Sequence, residues 1–170
     1  IVLDDANFGR AASAAVHACF SNTGQECSAL TRLLIPESNR DEIVEIIAAK
    51  VANYSVGDPL DESNRCGPVA SKKQQETVTH YIQTAIDEGA TLIAGGLGSP
   101  EGLDSGYFVK PTAFADVTRE MTLFREEVFG PVLAITTYSS IEEAIDLAND
   151  SDYGLSGGVW SGDEERAMAV

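Results

Sequence analysis

Apolar residues recur along the chain with two periods. Ala12, Ala15, Val16 and Cys19 fall at i, i+3, i+4 and i+7, so an Ala-rich helix is predicted with Cys19 on its core face. Ser38 with Asp41 is expected to open a second helix, whose stripe is Val44, Ile47, Ala48 and Val51. Ser71 with Gln74 reads as a capping box for a third, with the stripe Val78, Tyr81, Ile82, Ala85 and Ile86 and with Gly89 as its C-terminal stop. Ser140 with Glu143 boxes a fourth, whose inward face is Ile141, Ala144, Ile145 and Ala148. Between them the runs TRLLI, TLIAG, PTAFADV, VLAITTY and SGGVW read as strands, several of them continuously apolar as strands buried on both faces are. Strands alternating with helices predict an α/β fold with a mostly parallel sheet.

Length and charge narrow the class. A chain of 170 residues fits one domain that needs no staples. Three cysteines without a C-x-x-C pair, and two histidines, His17 and His80, on predicted helices, fit neither a disulfide framework nor a usual zinc site, so no metal is expected. That cysteine usage predicts a reducing, cytoplasmic compartment. The formal net charge of -16 opposes approach to nucleic acid or an anionic membrane surface, and no apolar run is long enough to span a bilayer. The chain opens on the strand-like IVL without a methionine and stops within DEERAMAV, where a helical pattern still runs, so a piece of a longer polypeptide is expected.

The glycine-rich stretch GGLGSPEGLDSGY fails as a dinucleotide fingerprint. Aligned as G-x-G-x-x-G from Gly96, its last position is Glu101 and no helical pattern follows, so a hairpin or surface loop is the reading.

Candidate chemistry begins at Cys27. Its neighbours Gly24, Gln25, Glu26 and Ser28 offer the sulfur no apolar stripe, unlike Cys19, so an accessible thiol in a polar loop before a strand is predicted. Such a thiol is a plausible nucleophile, and its own backbone N–H is a potential oxyanion donor. Arg32 is close only in sequence. A hundred residues on, FREEVFGPVLAI sets Glu127, Phe129, Gly130 and Pro131 directly before an apolar run, a candidate pocket wall with a carboxylate able to accept from ribose hydroxyls.

Taken together and in order, NTGQECSALTRLLIP, GYFVKPTAFADV, EEVFGPVLAI and NDSDYGLSGGVW resemble the catalytic domain of the aldehyde dehydrogenase superfamily over essentially all 170 residues. The resemblance implies a three-layer α/β/α catalytic domain, with residues 1–170 covering part of it and the nucleotide-binding domain and C-terminal tail lying outside. It implies a reaction in which Cys27 attacks an aldehyde, hydride passes from the thiohemiacetal to NAD or NADP, and water releases the acid from a thioester. By the same resemblance Glu127 holds the nicotinamide ribose, Phe129 borders the nicotinamide, Gln74 contacts the cofactor, and Phe20 and Glu26 are candidates to touch the acyl group. The general base and the second oxyanion donor are expected upstream of Ile1, so the isolated segment is expected to be inactive, and its parent to be a homodimer or homotetramer. Two alternatives stay open: a CoA-acylating or reductive member of the same fold, and a non-catalytic structural protein.

Overall fold

A computed structural model describes residues 1–170. Its helices are α1 (Phe8–Phe20), α2 (Arg40–Ala52), α3 (Lys72–Asp87), α4 (Thr122–Arg125), α5 (Ile141–Asn149) and α6 (Glu164–Ala169). The strands are β1 (Arg32–Pro36), β2 (Thr91–Ala94), β3 (Thr112–Ala115) and β4 (Val132–Tyr138), ordered β1-β4-β3-β2 in one sheet. β4 runs parallel to both β1 and β3, whereas β2 joins β3 antiparallel through the long 95–111 connection, which makes the glycine-rich stretch a surface loop.

Alternation along the strands builds the two faces. Leu33, Ile35, Ala113, Leu133 and Ile135 pack with Ala12, Val16, Cys19, Ile43 and Ile47 of α1 and α2. Leu34, Phe114, Val132 and Ala134 pack on the opposite side with Val78 and Ile82 of α3, Leu123 and Phe124 of α4, and Ala144 and Leu147 of α5. The result is the expected three-layer α/β/α arrangement with a mostly parallel sheet. Each fully buried side chain of this kind, Ile35 and Phe114 among them, contributes about 1.5–3 kcal/mol of transfer free energy.

Several local expectations need correction. A short 3-10 turn, Glu37–Asn39, precedes α2, and the Ser38 hydroxyl donates to Asn39 Oδ1 rather than capping the helix. α2 starts at Arg40 and docks with Ile43, Ile47 and Val51 as its buried stripe, with Val44 and Ala48 only partly covered. On α3, Ile86 lies on the exposed side. On α5 the buried positions are Ala144 and Leu147, flanked by partly covered Ile141, Ile145 and Ala148. Ser71 and Ser140 cap their helices, each hydroxyl accepting from the backbone N–H three residues on, but neither box closes: Gln74 Nε2 donates to the Val128 and Phe129 carbonyls, and Glu143 Oε2 accepts from the N–H and hydroxyl of Ser139. Gly89 follows α3 with φ 91° while the Ala90 N–H closes onto the Ala85 carbonyl, the left-handed stop that glycine makes easy.

SGGVW is not a strand. Only Trp160 pairs, in an isolated parallel bridge to Val2, and Ser156, Gly157 and Gly158 are exposed, since glycines bring no side chains to anchor a strand. Val2 in turn donates to the Leu34 carbonyl, so the first residues extend the β1 edge.

Candidate active site

The loop that carries Cys27 is built from unusual backbone. Directly after α1, Asn22 (φ 49°), Thr23 (φ 59°) and Gly24 (φ 68°) are all left-handed. Asparagine and glycine tolerate that region, but a β-branched threonine resists it, so the neighbours must hold it. Asn22 Nδ2 donates to the Gln25 carbonyl at 3.0 Å, and the buried Thr23 hydroxyl donates to the Gly67 carbonyl at 3.3 Å. Gln25 Oε1 accepts from the Ala70 N–H at 2.9 Å. Beyond it the chain turns, Ala29 N–H donating to the Glu26 carbonyl and the Ser28 hydroxyl to Glu26 Oε1. Cys27 sits in that turn, exposed, and its N–H donates to no group of the chain.

The other two thiols are structural. Cys19 and Cys66 are buried, their Sγ atoms directed at the Val132 and Phe20 carbonyls, and burial pushes both thiols up, Cys66 to about 11. Phe20 is also fully buried, edge-on to Tyr54 with ring centroids 5.3 Å apart, so it cannot touch an acyl group in this arrangement. Glu26 is exposed. Arg32 points away from the thiol loop. Its guanidinium lies 4.7 Å from the centre of the Phe124 ring and donates to the Leu147, Ala148 and Asp150 carbonyls, at the C-terminal end of α5.

Opposite the thiol loop runs Glu126–Pro131, which links α4 to β4. Val128 and Gly130 are buried, while Glu127 and Phe129 alternate outward, Phe129 with its backbone left-handed at φ 53°. Glu127 takes part in no hydrogen bond or ion pair within the chain. Gln74 lies behind this segment and donates through Nε2 to the Val128 carbonyl at 3.0 Å and the Phe129 carbonyl at 2.8 Å.

Two glycines bring the loops into contact. A methyl group placed on Gly24 would stand 2.2 Å from the Gly130 carbonyl oxygen, so the two backbones touch with no side chain between them. Sheet topology explains the meeting, because Arg32 of β1 pairs with Ala134 of the parallel neighbour β4, while Cys27 and Phe129 each stand five residues before those partners. An exposed thiol, an unengaged N–H, an unpartnered carboxylate and a half-exposed aromatic ring thus share one end of the sheet. Sequence reasoning found the thiol and the acid but missed Thr23, Ala70 and the Gly24–Gly130 contact, for which the only signal was a glycine inside each motif.

The family model described as the aldehyde dehydrogenase family matches residues 1–170. The chain belongs to the aldehyde dehydrogenase family. Over all 170 residues it is 46% identical to a putative aldehyde dehydrogenase of Staphylococcus haemolyticus, of which it covers 36%. Among solved structures, 99% of the chain superimposes with a TM-score of 0.95 on 35% of a Mycobacterium tuberculosis aldehyde dehydrogenase complexed with NAD+, at 46% identity. A cysteine-to-alanine mutant of Pseudomonas syringae aldehyde dehydrogenase C, complexed with NAD+ and octanal, gives 0.96 over 99% of this chain and 35% of that one, at 39% identity. The chain thus spans about a third of the length of the curated relatives it matches. No helix is long and apolar enough to cross a membrane.

Proposed function

We propose that this chain supplies the nucleophilic half of an NAD- or NADP-dependent oxidation of an aldehyde to a carboxylic acid. The observation that carries the reading is the Gly24–Gly130 backbone contact, which sets the exposed Cys27 loop against the segment bearing Glu127 and Phe129. In this reading the Cys27 thiolate attacks the aldehyde carbon, forming the C–S bond and pushing the carbonyl electron pair onto oxygen. The Cys27 N–H, free of any partner in the chain, is the donor this reading assigns to that oxyanion. Glu127 and Phe129 would hold the nicotinamide nucleotide, whose chemistry there would be to accept hydride from the thiohemiacetal carbon. Loss of that hydride leaves a thioester on Cys27, and water takes the acyl group to the acid and returns the thiol.

The chain's residues fit a nicotinamide nucleotide. Glu127 is exposed and unpaired, the state in which a carboxylate can accept from two ribose hydroxyls. Phe129 presents a half-exposed ring beside it, suited to border a flat heterocycle. The NAD+ held by both solved relatives supports the same assignment. The relatives are nearly three times as long as this segment, and we assign the rest of the nucleotide site and the water-activating base to chain outside these 170 residues. The segment alone is then expected not to turn over, because hydride transfer needs an acceptor held at near-attack distance.

The test is absorbance at the reduced-nicotinamide band when the full polypeptide that carries this segment meets a panel of aldehydes with NAD or NADP, beside Cys27→Ala. A signal lost in Cys27→Ala is expected. A signal that survives Cys27→Ala overturns the reading.

A further inference from the structure

The same face of α3 grips the Glu126–Gly130 segment at successive turns. Gln74, Val78 and Tyr81 stand at i, i+4 and i+7, one above another on the helix. Gln74 Nε2 holds the Val128 and Phe129 carbonyls. Val78 closes on Gly130, where an added methyl would lie 2.4 Å from Val78 Cγ2. The Tyr81 hydroxyl donates to Glu126 Oε2 at 2.7 Å, and that acceptor is the main reason its phenol is pushed up to about 12. Residues on both sides of Glu127 are therefore held while Glu127 itself is left free.

Phe129 makes the grip necessary. A left-handed aromatic residue persists only where its surroundings over-determine the backbone. The Gln74 amide ties down the carbonyls of the two peptide units that flank the Phe129 Cα, and the buried Gly130 after them is packed closely between Val78 and Gly24. The stretch just before α3 also holds the thiol loop, through the Ala70 N–H on Gln25 Oε1. One short region, Ala70–Gln74, thus fixes both halves of the site.

We infer that Gln74 is a positioning residue: it acts through the Val128 and Phe129 carbonyls to set the display of Glu127 and Phe129, and Tyr81 supports it from the next turns of α3. This rests on the assignment of Glu127 and Phe129 to coenzyme binding made above. Both Nε2 donors of Gln74 are engaged without any ligand, so a direct contact with coenzyme would fall to its Oε1, which Gln74→Glu retains.

The experiment uses the full polypeptide and two measurements on wild type, Gln74→Met, Gln74→Glu and Tyr81→Phe. Hydrogen exchange over residues 126–132 is recorded without coenzyme, and the Kd for NADH or NADPH is measured by fluorescence. Gln74→Met is expected to speed exchange there and to raise Kd about tenfold, as the loss of two backbone-directed hydrogen bonds implies. Gln74→Glu is expected to do no better, since a carboxylate faces the same two carbonyls, while Tyr81→Phe gives a smaller change in both. Iodoacetamide labelling of Cys27 should stay within about twofold of wild type in Gln74→Met, marking a fold that is otherwise intact. Unchanged exchange with a raised Kd, or a Kd preserved in Gln74→Glu, would overturn the inference in favour of a direct contact. Faster exchange with an unchanged Kd would reduce Gln74 to a stabilising residue and overturn it as well. A wild-type protein that binds neither coenzyme would sink the preceding functional reading along with this one, which distinguishes the two failures.

Discussion

Gly24→Ala tests the contact on which the site depends. Two separate costs follow from the geometry. Alanine at φ 68° occupies the left-handed region, at about 1–2 kcal/mol. Its methyl would also stand 2.2 Å from the Gly130 oxygen and 2.3 Å from the Gly130 carbonyl carbon, which are backbone atoms that no side-chain rotation can clear. Relieving such an overlap requires the two loops to part, at ~1–3 kcal/mol by analogy with overpacked cores. The total expected is about 2–5 kcal/mol. Gly89→Ala is the control, because Gly89 has φ 91° but nothing within 4 Å of the added methyl, so it carries the backbone cost alone. Urea unfolding of both variants gives the difference in midpoint at constant slope. Gly24→Ala should lose roughly 1–3 kcal/mol more than Gly89→Ala and should alter the alkylation rate of Cys27, which Gly89→Ala should leave alone. Equal losses in the two variants, with unchanged Cys27 reactivity, would show that the loops are not in contact through Gly24 and would remove the basis for placing Cys27 beside Glu127.

Two further outcomes are expected. Iodoacetamide followed by peptide mass mapping should label Cys27 alone in the native protein, with Cys19 and Cys66 reacting only after denaturation; a thiol pushed to about 11, as Cys66 is, has roughly a thousandth of its population ionised at pH 8 even before access is considered. Labelling of Cys19 at the Cys27 rate would contradict the buried core face of α1. The second outcome concerns acid. Arg40 grips Asp116 through Nε at 2.8 Å and Nη2 at 2.5 Å, which with the Thr91 hydroxyl holds the Asp116 carboxyl below its usual range. A depressed carboxyl stabilises the fold fully above its unfolded pKa of about 3.9 and loses that contribution as pH falls through the lower folded value. The two side chains remain 30% and 40% exposed, so solvent screening keeps the effect small. The stability gap between wild type and Asp116→Asn, read from urea midpoints, should be constant from pH 7 to about 5 and shrink below about 4; a gap that stays constant to pH 3 would refute the pairing as the source.

What the sequence made legible was whatever depends on local pattern. The N-caps Ser71 and Ser140 were readable because a serine hydroxyl before a helical stripe meets the N–H three positions on, and the buried Cys19 because its neighbours share its face. The misreadings share a cause in tertiary competition. Ser38 looked like a cap, but it lies in the Glu37–Asn39 turn ahead of α2, and that helix docks with Ile43 rather than Val44 at the centre of its buried face. Ile86 and Ile145 fit the helical period but lie at the margins of faces whose centres are filled by Ala85 and Leu147. Phe20 flanks the cysteine motif in sequence, yet the left-handed turn that begins two residues later sends Cys27 outward while Phe20 remains in the core.

The site itself belongs to a different level of description. Cys27 and Phe129 are about a hundred residues apart, and nothing in either motif names the other; what unites them is that β1 and β4 are parallel neighbours, so the loops entering both strands arrive at the same end of the sheet. Register then sets how closely they meet, since Arg32 opposite Ala134 places the two loops level, and a slip of one residue would also reverse which side chains of β1 face α1 and α2. The burial that holds Leu33 and Ile35 on one face and Leu34 on the other is therefore the same constraint that brings Gly24 against Gly130. Core packing chooses the register, the register aligns the loops, and the absence of a side chain on both glycines lets the loop of Cys27 and the segment of Glu127 meet.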